Sequence, residues 1–388
     1  MLRAPTHALR RAPAPGCPPR SQPASPAARR QPALLHRLLA ILLAACLLLA
    51  APGCGTAGAP ASSPGDPDAP TASPGVDRSA GSALVVEGDS YPLVVHDCLG
   101  NETIIESRPA RVAVISGTPL NIWYDLGGKS VCTSTVSTNV KLMPQYAEEI
   151  MSLPEVGPVY SVNQEAVIAT QPDLIIAQFG AQNVQAAKLR EMGYKVITTN
   201  IRTFDEVTAS YLAFSQILGV ASLGQSRVNE MVRQRDALIA KAPDAGTTVV
   251  ILYLTASTLS VKLNNSIAGD VAMCLGLANI ASNLPPDAIG SENTPLDIEY
   301  IIDKDPDFVL VASMIADNAT AIQTMEDIFA TNPIWQGVRA VREGQIVYLP
   351  QEYFLYNAGP YYVEAVEYMA RGVYPQIYGE LGPWYDSR

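Results

Sequence analysis

Histidine is almost missing from this chain: three occur in 388 residues, and only His96 lies beyond residue 54. Capture of a bare zinc or manganese ion needs several His and carboxylates converging on one point, so the scarcity speaks against that class. The same scarcity speaks against the usual acid–base and metal-assisted enzymes. No Gly-rich phosphate loop ending in Lys-Ser/Thr occurs, and no Gly-x-Ser-x-Gly elbow. Acids are absent from the first 54 residues, which hold Arg3, Arg10, Arg11, Arg20, Arg29, Arg30 and Arg37. With those seven of 26 basic residues set aside, 19 remain against 37 acidic, a net charge of −18 for the rest of the chain. Binding a phosphate backbone needs clustered Lys and Arg, so nucleic acid is not the partner.

Long apolar runs are also scarce. The one that stands out, "LLAILLAACLLLAAPGC" (Leu38 to Cys54), follows the basic segment and ends in small residues. It reads as a signal peptide over residues 1–53 rather than a spanning helix. Its end, "AAPGC", resembles a bacterial lipobox, which implies that Cys54 becomes the lipidated first residue of an exported protein. "LAAC", ending at Cys46, is the rival site, but an apolar run would then continue after cleavage. Residues 54–90 are rich in Gly, Ala, Ser, Pro and Asp and read as a flexible tether, because such a segment buries too little surface to offset its chain entropy. Cys98 and Cys132 would be free to pair in an oxidising location, and the sequence leaves that open; Cys274 reads as a small buried hydrophobe.

Beyond the tether, "YPLVVHDCLGNETIIESRP" alternates and turns at Leu99-Gly100-Asn101 as a hairpin does. Short β-branched runs then alternate with helical patterns: "RVAVISG", "KSVCTSTV", "DLIIAQFG" and "KVITTN", with "VQAAKLREMG" among them. The order restarts at "TTVVILYLTAS" and closes with "QIVYLP" and a terminal helix. Strands alternating with helices predict an α/β fold of two lobes with mostly parallel sheets, residues 91–220 and 244–388. A helix over 221–243 is predicted as their single rigid connection.

The chain also writes one phrase twice. "EAVIATQPDLIIA" begins at Glu165 and "EYIIDKDPDFVLVA" at Glu299, each Glu followed seven residues later by Pro-Asp and an apolar run. Pro172, Asp173, Pro306 and Asp307 read as helix stops and strand starts. "RPARVAVISGTPLNIWYDLGG", "NQEAVIATQPDLIIA" and "NPIWQGVRAVREGQIVYLP" resemble segments of the substrate-binding proteins of iron-siderophore, haem and cobalamin ABC importers. The resemblance runs from about Tyr91 to Tyr374. It implies two lobes joined by a helical backbone, a ligand held between them, no catalysis, no cofactor, and a monomer serving a permease dimer at the extracytoplasmic face of the membrane. It further implies that Glu165 and Glu299, one per lobe, dock the permease.

Ligands of α/β lobes sit beyond the carboxyl ends of the strands, so the loops there supply the candidates. They are Ser116, Thr118, Asn139, Tyr160 and Gln178 in the first lobe, and Tyr253, Ser257, Lys262, Asn265, Asn293, Tyr353 and Tyr356 in the second. The set is aromatic and amide-rich with little charge, which suits an uncharged hydroxamate iron chelate better than an anionic catecholate. Haem and corrinoid stay open, as does a surface adhesion or sensory protein without a permease.

Overall fold

The computed structural model describes residues 83–136, 140–315, 317–355 and 359–382. The signal peptide, Cys46, Cys54, Asn139 and Tyr356 lie outside the described residues. The folded body starts upstream of Tyr91: β1 (Val85–Glu87) pairs with β2 (Leu93–His96), and β2 with β3 (Glu102–Ile105), all antiparallel. The last residues of the stretch read as tether are therefore part of a sheet. Leu84 is buried in the core, which anchors them.

The first lobe carries three parallel strands in the order β4 (Val112–Val114), β5 (Leu174–Gln178) and β6 (Val196–Thr199). All but the last residue of β5 are buried, as expected for a parallel sheet covered on both faces. Around it lie α1 (Gly117–Asp125), α2 (Pro144–Met151), α3 (Gln164–Ala169) and α4 (Asn183–Glu191). The stretch "KSVCTSTV" forms no strand, although its composition predicts one. The Val131 amide donates one bond to the Val112 carbonyl and Thr133 makes a single bridge to Glu155, while the Ser130 hydroxyl occupies the Val114 amide. A side chain there does what a ladder would have done.

The second lobe is mostly parallel as expected, three of its five strand pairings being parallel, with two antiparallel strands added at one side. Its path is β10 (Asn293–Pro295), β8 (Leu259–Lys262), β7 (Thr248–Leu254), β11 (Phe308–Ser313) and β12 (Ile346–Leu349), with β9 (Ala278–Asn279) on β7. The β7, β11 and β12 pairings are parallel; β8 and β10 run antiparallel. The helices here are α7 (Ile267–Cys274), α8 (Ile298–Lys304), α9 (Asn318–Thr331), α10 (Arg339–Arg342), α11 (Gln351–Phe354), α12 (Tyr362–Val373) and α13 (Pro375–Tyr378), numbered after the two that precede them, α5 (Phe204–Ile217) and α6 (Ala221–Ile239).

The chain passes from the first sheet to the second through α5 and α6 together, not through one helix. Thr203 and Glu206 form a reciprocal capping box at the start of α5, and Gly219, at φ +70°, turns the chain into α6. Alternation along the strands sorts the interior. Val112, Val114 and Ile176 of the first sheet share one core with Val249, Ile251 and Leu310 of the second, together with Ile217, Met231 and Met369. The intervening residues Ala113, Ile175 and Ala177 face one separate outer core, and Val250, Leu252 and Val309 another. A common core continuous through both lobes resists sliding of one on the other.

Candidate functional site

Two chambers open where the strands of the lobes end. The first, of about 240 Å3, is walled by Ser116, Tyr160, Gln178, Phe179, Asn200 and Arg202 from the first lobe and Tyr253, Ile267, Gly290, Ser291, Glu292 and Leu355 from the second. The second, of about 270 Å3, holds Thr118, Thr133, Ser134, Thr135, Val136, Val140, Pro158 and Met314. Ser116, Val159 and Tyr160 belong to both chambers.

The shared wall is built at the end of β4. Ser116 is the residue before α1, in extended conformation, yet its side chain caps no helix amide; its hydroxyl donates instead to Gln178 Oε1 at 2.6 Å. The Gln178 amide donates to Gln182 Oε1 (2.9 Å), and Gln182 Nε2 donates to the Ile115 carbonyl (2.5 Å). This run of buried polar groups ties the ends of β4 and β5 and holds two of the predicted ligand residues in fixed positions.

Across the cavity, Tyr253 carries the Lys262 ammonium 3.9 Å from its ring centre. Burial, with the Glu292 carboxylate and then Tyr160 nearby, pushes the Tyr253 phenol well up. It therefore stays protonated at neutral pH in the empty chamber, where its hydroxyl is available as a hydrogen-bonding group. Lys262 is paired with Glu292. Arg202, from the first lobe, brings a terminal nitrogen within 3.6 Å of the other Glu292 oxygen, and its guanidinium lies 5.5 Å from the Phe179 ring centre. The expected low charge is thus replaced by two cations around one carboxylate.

Of the sequence-derived candidates, Ser116, Thr118, Tyr160, Gln178 and Tyr253 line the chambers. Lys262 lies behind the wall, acting through Glu292 and Tyr253. The others are elsewhere. Ser257 sits in the exposed turn between β7 and β8, bonded to Thr255. Asn265 donates to the Ser291 carbonyl at 3.1 Å and so holds a wall loop without facing the space. Asn293 is taken into β10, opposite Lys262. Tyr353 accepts a bond from Lys141 Nζ at 2.8 Å. Glu292 and Asn200 were not legible: a single Glu beside Asn293 has no local signal, and its importance comes from Arg202 in the other lobe. Among the described residues, no three His, Cys, Asp or Glu gather as a metal site.

Glu165 and Glu299 line neither chamber, each lying in the first turn of its helix and exposed. Asn163 caps α3 and Asp297 caps α8, so the two helix starts are built alike.

A family model described as "Periplasmic binding protein" matches residues 112–353. The chain belongs to that family. It is similar to the Fe(3+)-citrate-binding protein YfmC of Bacillus subtilis (strain 168), 22% identical over 351 residues, which are 89% of this chain and 98% of that one. It is also similar to a cobalamin-binding protein of Halobacterium salinarum, 24% identical over 260 residues, 66% of this chain and 68% of the other. Among solved structures, an ABC transporter substrate-binding protein of Listeria monocytogenes EGD-e superimposes with a TM-score of 0.61 at 17% identity, over 69% of this chain and 99% of that one. This member of the family is a substrate-binding protein of the ABC-importer type and not an enzyme. Among the described residues no helix is long and apolar enough to cross a membrane.

Proposed function

We propose that this protein is an extracytoplasmic lipoprotein, anchored through Cys54, that captures a ferric chelate of the siderophore kind between its lobes and delivers it to the permease dimer of an ABC importer. The observation that carries this is the pair of joined chambers, drawn from both lobes and lined by Ser116, Tyr160, Gln178 and Tyr253. Chambers of about 240 and 270 Å3 that share Ser116, Val159 and Tyr160 together fall within the roughly 300–1,000 Å3 usual for ligand sites. Haem stays an alternative, since a chamber-lining Tyr such as Tyr160 or Tyr253 can serve as an axial ligand. The name of the relative YfmC supports an iron chelate; that of the Halobacterium relative keeps cobalamin as another alternative.

Glu165 and Glu299 are proposed as the permease contacts. They are exposed, one per lobe, on helix starts of the same construction, and charge-assisted pairs to Arg on a two-fold partner would orient as well as attract. The test is tryptophan and tyrosine fluorescence of the chain beginning after Cys54, titrated with ferric citrate, a ferric hydroxamate, a ferric catecholate, haem and cobalamin. Saturable quenching by an iron chelate alone is expected. Saturation by cobalamin or haem alone would replace the iron-chelate reading. Silence from all five would remove chelate capture as the function.

A further inference from the structure

The first chamber contains a guanidinium held more tightly by its own lobe than by the carboxylate it faces. Arg202 follows β6. Its amide donates to Glu206 Oε2 at 2.8 Å and its Nε to Asn200 Oδ1 at 2.8 Å. Its side chain is 16% exposed and lies over Phe179. The terminal nitrogens make no hydrogen bond among the described residues. Glu292 approaches one of them at 3.6 Å, beyond hydrogen-bond length. Glu292 itself is committed elsewhere, through Oε1 to Lys262, whose side chain is 3% exposed.

Both Arg202 and Glu292 line this space, and the second acid near Arg202, Glu206, turns its carboxylate to the amides of Arg202 and Thr203 and to Asn200 rather than to the guanidinium. A pre-oriented planar fork with a loosely placed carboxylate nearby is suited to accept a better-placed carboxylate from outside. We infer that the chamber recognises a ferric chelate bearing free carboxylates, one of which pairs with Arg202 at the position that Glu292 only approaches. This rests on the proposed capture of an iron chelate and chooses among the chelates that reading allows. Glu292 then acts as a placeholder. It keeps Arg202 neutralised across the lobes when the chamber is empty and repels a second negative group when it is full.

The test compares ferric citrate with ferrichrome, an uncharged trihydroxamate chelate, on the wild type, Arg202→Gln and Glu292→Gln, read by fluorescence quenching. Ferric citrate should bind the wild type, weaken at least about tenfold in Arg202→Gln, a loss of about 1.4 kcal/mol, and tighten in Glu292→Gln. Any ferrichrome binding should move little in either. Because Glu292→Gln leaves buried Lys262 without its anion, thermal melts accompany it, and the wild type alone gives a second readout. Raising salt from low to high ionic strength should weaken ferric citrate and leave ferrichrome unmoved. Ferrichrome binding without ferric citrate, or ferric citrate binding indifferent to Arg202 and to salt, overturns the carboxylate assignment and leaves chelate capture standing. Binding of neither chelate overturns both.

Discussion

The carboxylate of Asp307 accepts two hydrogen bonds from Thr248, one from its amide and one from its hydroxyl, both 2.8 Å. Thr248 opens β7, the central strand of the second lobe, and Asp307 immediately precedes β11 beside it. The first lobe repeats the arrangement: Asp173, before β5, accepts from the amides of Ala110 (2.7 Å) and Arg111 (3.0 Å), just ahead of β4. The twice-written Pro-Asp is therefore a staple between neighbouring parallel strands, set once in each lobe.

Replacing Asp307 by Ala should lower stability by about 1–3 kcal/mol, the range for losing hydrogen bonds to a charged group. The acid dependence carries a sign. Burial alone would raise the Asp307 carboxyl, but the bonds from Thr248 and Arg339 outweigh it and hold the group below its ordinary 3.8. A carboxyl depressed on folding contributes stability above its unfolded value, and that contribution is lost as pH falls through the lower folded one. Urea melts from pH 7 down to 3 should show Asp307→Asn less acid-sensitive than wild type in the lowest part of that range. Parallel profiles would remove the staple from the account.

The repeat and the hairpin were legible because both are local: spacing, alternation and turn residues lie within one stretch of chain. The lobes were legible for the same reason. What escaped reading depends on distance. "KSVCTSTV" has the composition of a strand, but the Ser130 hydroxyl takes the Val114 amide a ladder partner would have used. Glu292 gains its meaning only when β6 and β10 bring Arg202 beside it. Amide-rich loops such as the one holding Asn265 looked like ligand contacts, yet an Asn in a loop serves equally well to brace that loop, as the Asn265 bond to Ser291 does.

The turn from α5 into α6 depends on Gly224. A Cβ there would lie 2.1 Å from Ser215 Oγ, 2.4 Å from Ser215 Cβ and 3.0 Å from the Tyr211 carbonyl, so the two helices touch along their backbones. Gly224→Ala should destabilise by about 1–3 kcal/mol through overpacking. Adding Ser215→Gly should recover part of the loss, since it removes the two nearest atoms. Equal melting temperatures for wild type and Gly224→Ala would mean that the helices separate freely.

Cys98, Cys132 and Cys274 are free thiols, the first two fully buried. Burial, with Asp97 and Glu206 adding to it, pushes the Cys98 thiol up to about 12, and burial raises Cys132 to about 11. At pH 8 both hold almost no thiolate, the reactive form. Iodoacetamide on the native protein should leave both unmodified while slowly labelling half-buried Cys274; in urea all three should react. Native labelling of Cys98 at the rate of Cys274 would show that the hairpin over Cys98 opens readily.

Glu165 and Glu299 give the sharpest separation between binding and delivery. Each is exposed in a first helical turn, with the neighbouring cap side chain, Asn163 or Asp297, already serving the helix amides. Substitution should therefore cost little stability, about 0.3–1 kcal/mol from the lost dipole interaction at an exposed site. The double change to Ala should leave chelate affinity of the isolated protein within twofold of wild type, because neither residue lines a chamber. Uptake of radioactive iron by cells relying on this protein should fall by at least about tenfold, equivalent to losing roughly 1.4 kcal/mol of permease contact. Each single change should give an intermediate loss, since two rigid points of contact reinforce each other through effective concentration. Lost affinity in the double variant would place the two carboxylates in ligand capture. Undiminished uptake would return them to the simpler role of a negative charge at a helix start.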